Sequence, residues 1–138
     1  MKYLDSNVLI YAALDNREKG RWCRSLLKRI EEGEEGAGTS YLSYKEVLWK
    51  IDKVLSREDA LEAVEAILTM PNLRFFDVDD EVIWKAHELI SLEGFDPRDA
   101  IHLSTALNHG IYTMVSEDSD FDDIPEIDRE WLGSKERV

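Results

Sequence analysis

The amino-acid sequence predicts one α/β domain built on a mainly parallel sheet with helices on both faces. Short apolar, β-branched runs alternate with longer stretches of helical periodicity, the order expected of strand–helix–strand units. With 43% apolar residues, the 138-residue chain suffices for one core and is too short for two comfortable ones. No internal repeat or low-complexity linker divides residues 1–138, and only the polar tail after about residue 132 is expected to fray.

Residues 2–5 read as a short buried strand ending on Asp5, and Ser6-Asn7 supplies turn and cap chemistry before the apolar run Val8 to Leu14. A helix over about 18–32 gathers Trp22, Leu26, Leu27 and Ile30 on one face, and the glycines from Gly33 to Gly38 close it. An extended segment near 39–42 leads into a helix carrying Val47, Leu48, Ile51, Val54 and Leu55. The next helix starts at Ser56 and stops before Pro71. The aromatic run at 73–78 reads as a strand, followed by a helix from about Val82 to Gly94. Asp96-Pro97 opens another helix, His109-Gly110 closes it, and residues 111–115 form the next strand.

A formal charge of −13 makes the overall field repel polyanions and argues against a broad basic nucleic-acid surface. Acids converging on one divalent-cation site would reverse that field locally. No stretch approaches the roughly 20 apolar residues of a membrane span, and the N-terminus meets an acid too early for a signal peptide; a cytoplasmic protein is expected. The lone cysteine, Cys23, sits among apolar helix positions and reads as core without a chemical role. No nucleophile elbow, phosphate loop or dinucleotide fingerprint is present.

In open α/β sheets, ligands bind beyond the C-terminal ends of the strands where strand order reverses. That rule selects a few of the 30 acids: Asp5 after the first strand, Asp118 and Asp120 after the strand at 111–115, and Glu46 and Asp99 in first helical turns on the same rim. Carboxylates crowded together take up protons unless a cation neutralises them. Oxygen donors without a His or Cys cluster suit Mg²⁺ or Mn²⁺, and the matching chemistry is phosphodiester hydrolysis. Plainer readings stand beside these. Glu46 follows Ser43 by three residues, the capping-box spacing, and Asp99 occupies a first turn where the helix dipole favours any acid. The run Asp118 to Asp123 taken alone is a solvated acidic loop, and His102 an ordinary helix histidine.

Taken together, Tyr3-Leu4-Asp5-Ser6-Asn7-Val8-Leu9-Ile10, Ser43-Tyr44-Lys45-Glu46-Val47, Arg98-Asp99-Ala100-Ile101-His102-Leu103-Ser104-Thr105-Ala106 and Val115-Ser116-Glu117-Asp118-Ser119-Asp120-Phe121 resemble the four motifs of the PIN-domain family, especially its small VapC-type prokaryotic members. The resemblance spans nearly the whole chain and implies a five-stranded, mainly parallel sheet. It implies Mg²⁺ or Mn²⁺ held by Asp5, Glu46, Asp99 and Asp118, with Asp120 a second contender for the fourth position, and Ser6, Asn7 and Ser116 behind them. Cleavage of single-stranded RNA would be the reaction, homodimerisation the common state, and an antitoxin protein the partner of those members that are toxins. Two competing readings are a non-catalytic RNA- or protein-binding module of the same fold and a metal-dependent DNA nuclease.

Overall fold

A computed structural model describes residues 1–133; the tail expected to fray after about 132 lies almost wholly outside them. Among the described residues the elements run β1 (Lys2–Leu4), α1 (Ser6–Leu14), α2 (Glu18–Glu31), β2 (Ala37–Ser40), α3 (Leu42–Val54), α4 (Arg57–Leu68), β3 (Leu73–Phe76), α5 (Asp80–Glu93), α6 (Pro97–Asn108), β4 (Thr113–Val115), a 3₁₀ turn at Ser119–Asp123 and β5 (Asp128–Glu130). All strand pairs are parallel, in the order β3-β2-β1-β4-β5. The single α/β domain with a parallel sheet and covering helices is as expected.

Alternation along the strands creates the two helical layers. Leu4 and Val115 face a core shared with α1 to α4, including Val8, Leu26, Ile30, Val47 and Ile51. Their neighbours Tyr3 and Met114 face the opposite core with Leu103 and Ala106 of α6 and Phe121 of the 3₁₀ turn. Cys23 is fully buried in the first core, and burial, with Asp15 and Glu117 adding to it, pushes its thiol up to about 12. That is the inert core cysteine the sequence suggests. No described helix is long and apolar enough to cross a membrane.

Four boundaries differ from the sequence reading. The strand expected near 39–42 is β2 at Ala37–Ser40: Gly38 belongs to the strand because a Cβ there would lie 2.3 Å from the Phe76 ring across the β2–β3 pair. Ser6 and Asn7 are the first helical residues of α1, not a turn, and Asp5 in the N-cap position makes no side-chain cap bond. The strands at 73–78 and 111–115 shorten to 73–76 and 113–115. β5 is new to the residue-level reading; its Asp128-Arg129-Glu130 carries no apolar pattern, and the strand exists through pairing with β4 and a Glu130–Lys2 bond of 2.9 Å.

The order reverses between β1 and β4: the chain moves outward from β1 through β2 to β3, then crosses over α5 and α6 to β4 and β5. Asp5 follows β1 and Ser116 follows β4, so the adjacent strand ends at the switch point carry two of the sequence-selected residues.

Candidate active site

Asp5 is wholly buried and is held from several sides. Ser116 Oγ donates to its Oδ2 at 2.7 Å and Asn7 Nδ2 at 3.3 Å, while the Arg98 guanidinium closes on Oδ1. Asp5 leaves its helix uncapped because its oxygens are already engaged across the switch point. Ser116 Oγ thus ties the ends of β1 and β4 together, and it also accepts from the Asp118 backbone amide at 3.0 Å within the turn after β4.

Glu46 sits in the second turn of α3, whose start is locked to β1: Thr39 Oγ1 donates to Leu4 O at 2.7 Å and lies 2.7 Å from Ser43 Oγ. Ser43 is thereby engaged and Leu42 is already helical, so the capping box suggested by the Ser43–Glu46 spacing does not form. Glu46 instead reaches Arg98 through Oε2 and His102 Nε2 at 2.7 Å through Oε1. His102 is completely buried and its Nδ1 lies 2.6 Å from the Tyr3 hydroxyl. Because a carboxylate only accepts, a proton on Nε2 satisfies Glu46 and leaves Nδ1 to accept from Tyr3. The ordinary-helix reading of His102 is therefore too plain: it braces Glu46 from inside the second core.

Asp99, 5% exposed, lies in the first turn of α6, which Asp96 caps by accepting from the Arg98 amide at 3.1 Å. Arg98 Nη1 contacts it at 2.5 Å. Burial, and then the neighbouring Asp118 carboxylate, nevertheless push Asp99 up to about 7. Asp118 caps the 3₁₀ turn by accepting from the Asp120 amide at 2.9 Å. One oxygen each of Asp99, Asp118 and Asp120 fall within 4.8 Å of one another, the cation-sized acidic group found among the described residues. Both acids reach Asp99, but Asp118 is half-buried and hydrogen-bonds with its carboxyl, whereas Asp120 is exposed. The rest of the acidic run faces elsewhere, with Glu117 accepting from Tyr11 OH at 2.6 Å and Asp122 paired with Arg129.

The residue missed by the sequence reading is Arg98. Its guanidinium contacts Asp5, Glu46 and Asp99 and donates to Ser6 Oγ at 2.7 Å. Its only sequence signal is adjacency to Asp99 in a first turn. One guanidinium against four carboxylates leaves the site strongly negative. The donor set is all oxygen, and Asn7 Oδ1 beside Asp5 is buried without a hydrogen-bond partner. Hard oxygen donors, an unengaged buried oxygen and a carboxyl pushed towards its neutral form fit a divalent cation such as Mg²⁺ or Mn²⁺.

The family model described as PIN domain matches residues 2–127. VapC20 of Mycobacterium tuberculosis, described as a sarcin-ricin loop cleaving toxin, superposes with a TM-score of 0.76 at 15% identity, covering 89% of this chain and 94% of its own. VapBC2 of Rickettsia felis, bound to a promoter DNA fragment, gives 0.74 at 19% identity over 96% and 100%. DNA-bound VapBC of Salmonella typhimurium gives 0.70 at 21% identity over 94% and 96%. At these identities the likeness is one of fold. No curated protein matches the chain.

Proposed function

This chain belongs to the PIN-domain family, and from that membership we propose that it is a Mg²⁺- or Mn²⁺-dependent endoribonuclease hydrolysing single-stranded RNA, acting in the cytoplasm as the toxin of a toxin–antitoxin pair. The observation that carries the reading is the meeting of Asp5, Glu46, Asp99 and Asp118 at the β1/β4 switch point, around a donor set that suits a hard divalent ion.

Asp99 and Asp118 would hold the ion, with Asp120 beside them in the cation-sized group and Asp5 and Glu46 reaching it from across Arg98. The chemistry supplied by such an ion is charge neutralisation at the phosphodiester and acidification of a water. The chain's own residues prepare for it. Ser116 and Asn7 fix Asp5 as a carboxylate aimed into the site, and the Tyr3–His102 pair orients Glu46. Arg98 supplies the one fixed positive charge beside the oxygens where phosphate charge would develop.

The partner and assembly readings draw on similar structures, one of which, from Klebsiella pneumoniae, is described as a toxin–antitoxin complex. An acidic chain suits an antitoxin with a basic inserting segment. Ile83, Trp84 and Leu92 expose apolar surface on α5 that homodimerisation would cover.

The deciding experiment is Mn²⁺-dependent cleavage of mixed single-stranded RNAs by the parent chain beside Asp5→Asn and Asp99→Asn, with matched DNA strands in parallel. RNA cleavage by the parent that both variants lose supports the reading. Equal cleavage by all three, or none by any, favours a binding module, and preference for DNA favours the DNA nuclease.

A further inference from the structure

A cleft of about 500 Å³ opens beside the acidic site, lined by Ser6, Asn7 and Arg98 and, from α3, by Lys45, Glu46, Trp49 and Lys50. In a chain of net charge −13, this face of α3 is locally basic. The helix's own acids are engaged by other partners: Glu46, though it lines the cleft, pairs with Arg98 and His102, and Asp52 with Arg57. Among the described residues, no carboxylate pairs with Lys45, Lys50 or Lys53. Trp49 is 59% exposed, and Lys53 Nζ stands 4.8 Å over its ring, leaving the indole to solvent on the outer surface of a rigid helix.

A solvent-exposed tryptophan beside lysines that no acid holds is a combination with a recognisable ligand chemistry. Aromatic faces stack on unpaired bases of any identity, and lysines follow the phosphates. A duplex offers no free base face to the ring. We propose that Lys45, Trp49, Lys50 and Lys53 form a binding track for an unpaired polynucleotide strand, stacking one base on Trp49 and leading the adjoining phosphate along Lys45 and Lys50 into the cleft towards Arg98. The track rests on the nuclease reading only for its purpose; binding along it needs no cleavage.

The test is fluorescence anisotropy with a labelled, cleavage-resistant 2′-O-methyl oligoribonucleotide in Mg²⁺, with the probe checked by gel to remain intact. Trp49→Ala should weaken binding by roughly tenfold, consistent with the stacking energy of one base, and Trp49→Phe should restore most of it. Lys45→Ala/Lys50→Ala should flatten the salt dependence of log affinity by roughly 1.4, about 0.7 for each phosphate that a lysine no longer neutralises. A duplex of the same sequence should bind more weakly than the strand and ignore Trp49→Ala. Unchanged affinity and salt slope in these variants, with melting temperatures equal to the parent's, would overturn the track while leaving RNA cleavage untouched. Unchanged affinity accompanied by a change in oligomeric state for Trp49→Ala would overturn it in favour of a protein interface. Loss of binding in a chain that cleaves no RNA would uphold the track and sink the nuclease reading instead.

Discussion

The two halves of the acidic site are built differently. On the β1 and α3 side, Asp5 and Glu46 receive partners from the protein itself: Arg98, His102, Ser116 and Asn7. On the α6 and β4 side, Asp99, Asp118 and Asp120 crowd together with only one edge of Arg98 to balance them, and Asp99 is pushed up to about 7. Where the fold supplies donors and a cation, carboxylates are held in a fixed orientation. Where it does not, electrostatics leaves them to bind a proton or recruit an ion. The β1 and α3 half is thus ordered by the protein's own donors, and the α6 and β4 half is not.

The sharpest way to break this contrast is to neutralise one acid in each half. Asp118→Asn should lower Mn²⁺ affinity, read by calorimetry, by more than the roughly 100-fold typical at most of an outer-shell change. Glu46→Gln should lower it less, while also disturbing the His102–Tyr3 chain. Equal losses would mean that both halves hold the ion alike.

Removing the resident cation comes next in size. Arg98→Met leaves wholly buried Asp5 without its counter-ion, a change expected to destabilise the ion-free chain by about 3 kcal/mol. Because Arg98 and a divalent ion compete for the same oxygens, the variant should bind Mn²⁺ more tightly and recover most of its lost melting temperature when the ion is added. Weaker Mn²⁺ binding would show that Arg98 assists the ion instead of opposing it.

The smallest effect is a pH dependence. A carboxyl raised from its usual 3.8 to about 7 holds its proton more firmly folded than unfolded. Its stabilisation is complete below about 3.8 and is lost as pH climbs through about 7. Without divalent ions, the stability of the parent relative to Asp99→Asn should therefore fall across that window, and saturating Mg²⁺ should abolish the fall. A flat difference in denaturant titrations would mean that Arg98 alone balances Asp99.

Much of the fold is legible in local patterns, because apolar spacing, Ser56, Asp96-Pro97 and Gly94 each act within a turn or two of themselves. The misplacements have physical causes. β2 begins earlier than its pattern suggests because Gly38 reads as loop, whereas it is small to let Phe76 lie across it. β5 carries no apolar signal of its own, since its pairing is what makes it a strand. Strand ends and motif order are what single out the acids. Glu46 shows the limit of that approach: a capping-box spacing describes one helix turn, while its partners Arg98 and His102 lie more than fifty residues away.

By itself, then, the sequence determined the α/β class, the parallel layering and which carboxylates gather at the C-terminal rim of the sheet, because periodicity and strand-end position are local properties. Only the tertiary structure decided what each acid faces. Arg98 threads between three of them, His102 and Tyr3 back Glu46 from the core, and Asp118 and Asp120 both reach Asp99. Charge and burial act through space, and no spacing along the chain records them.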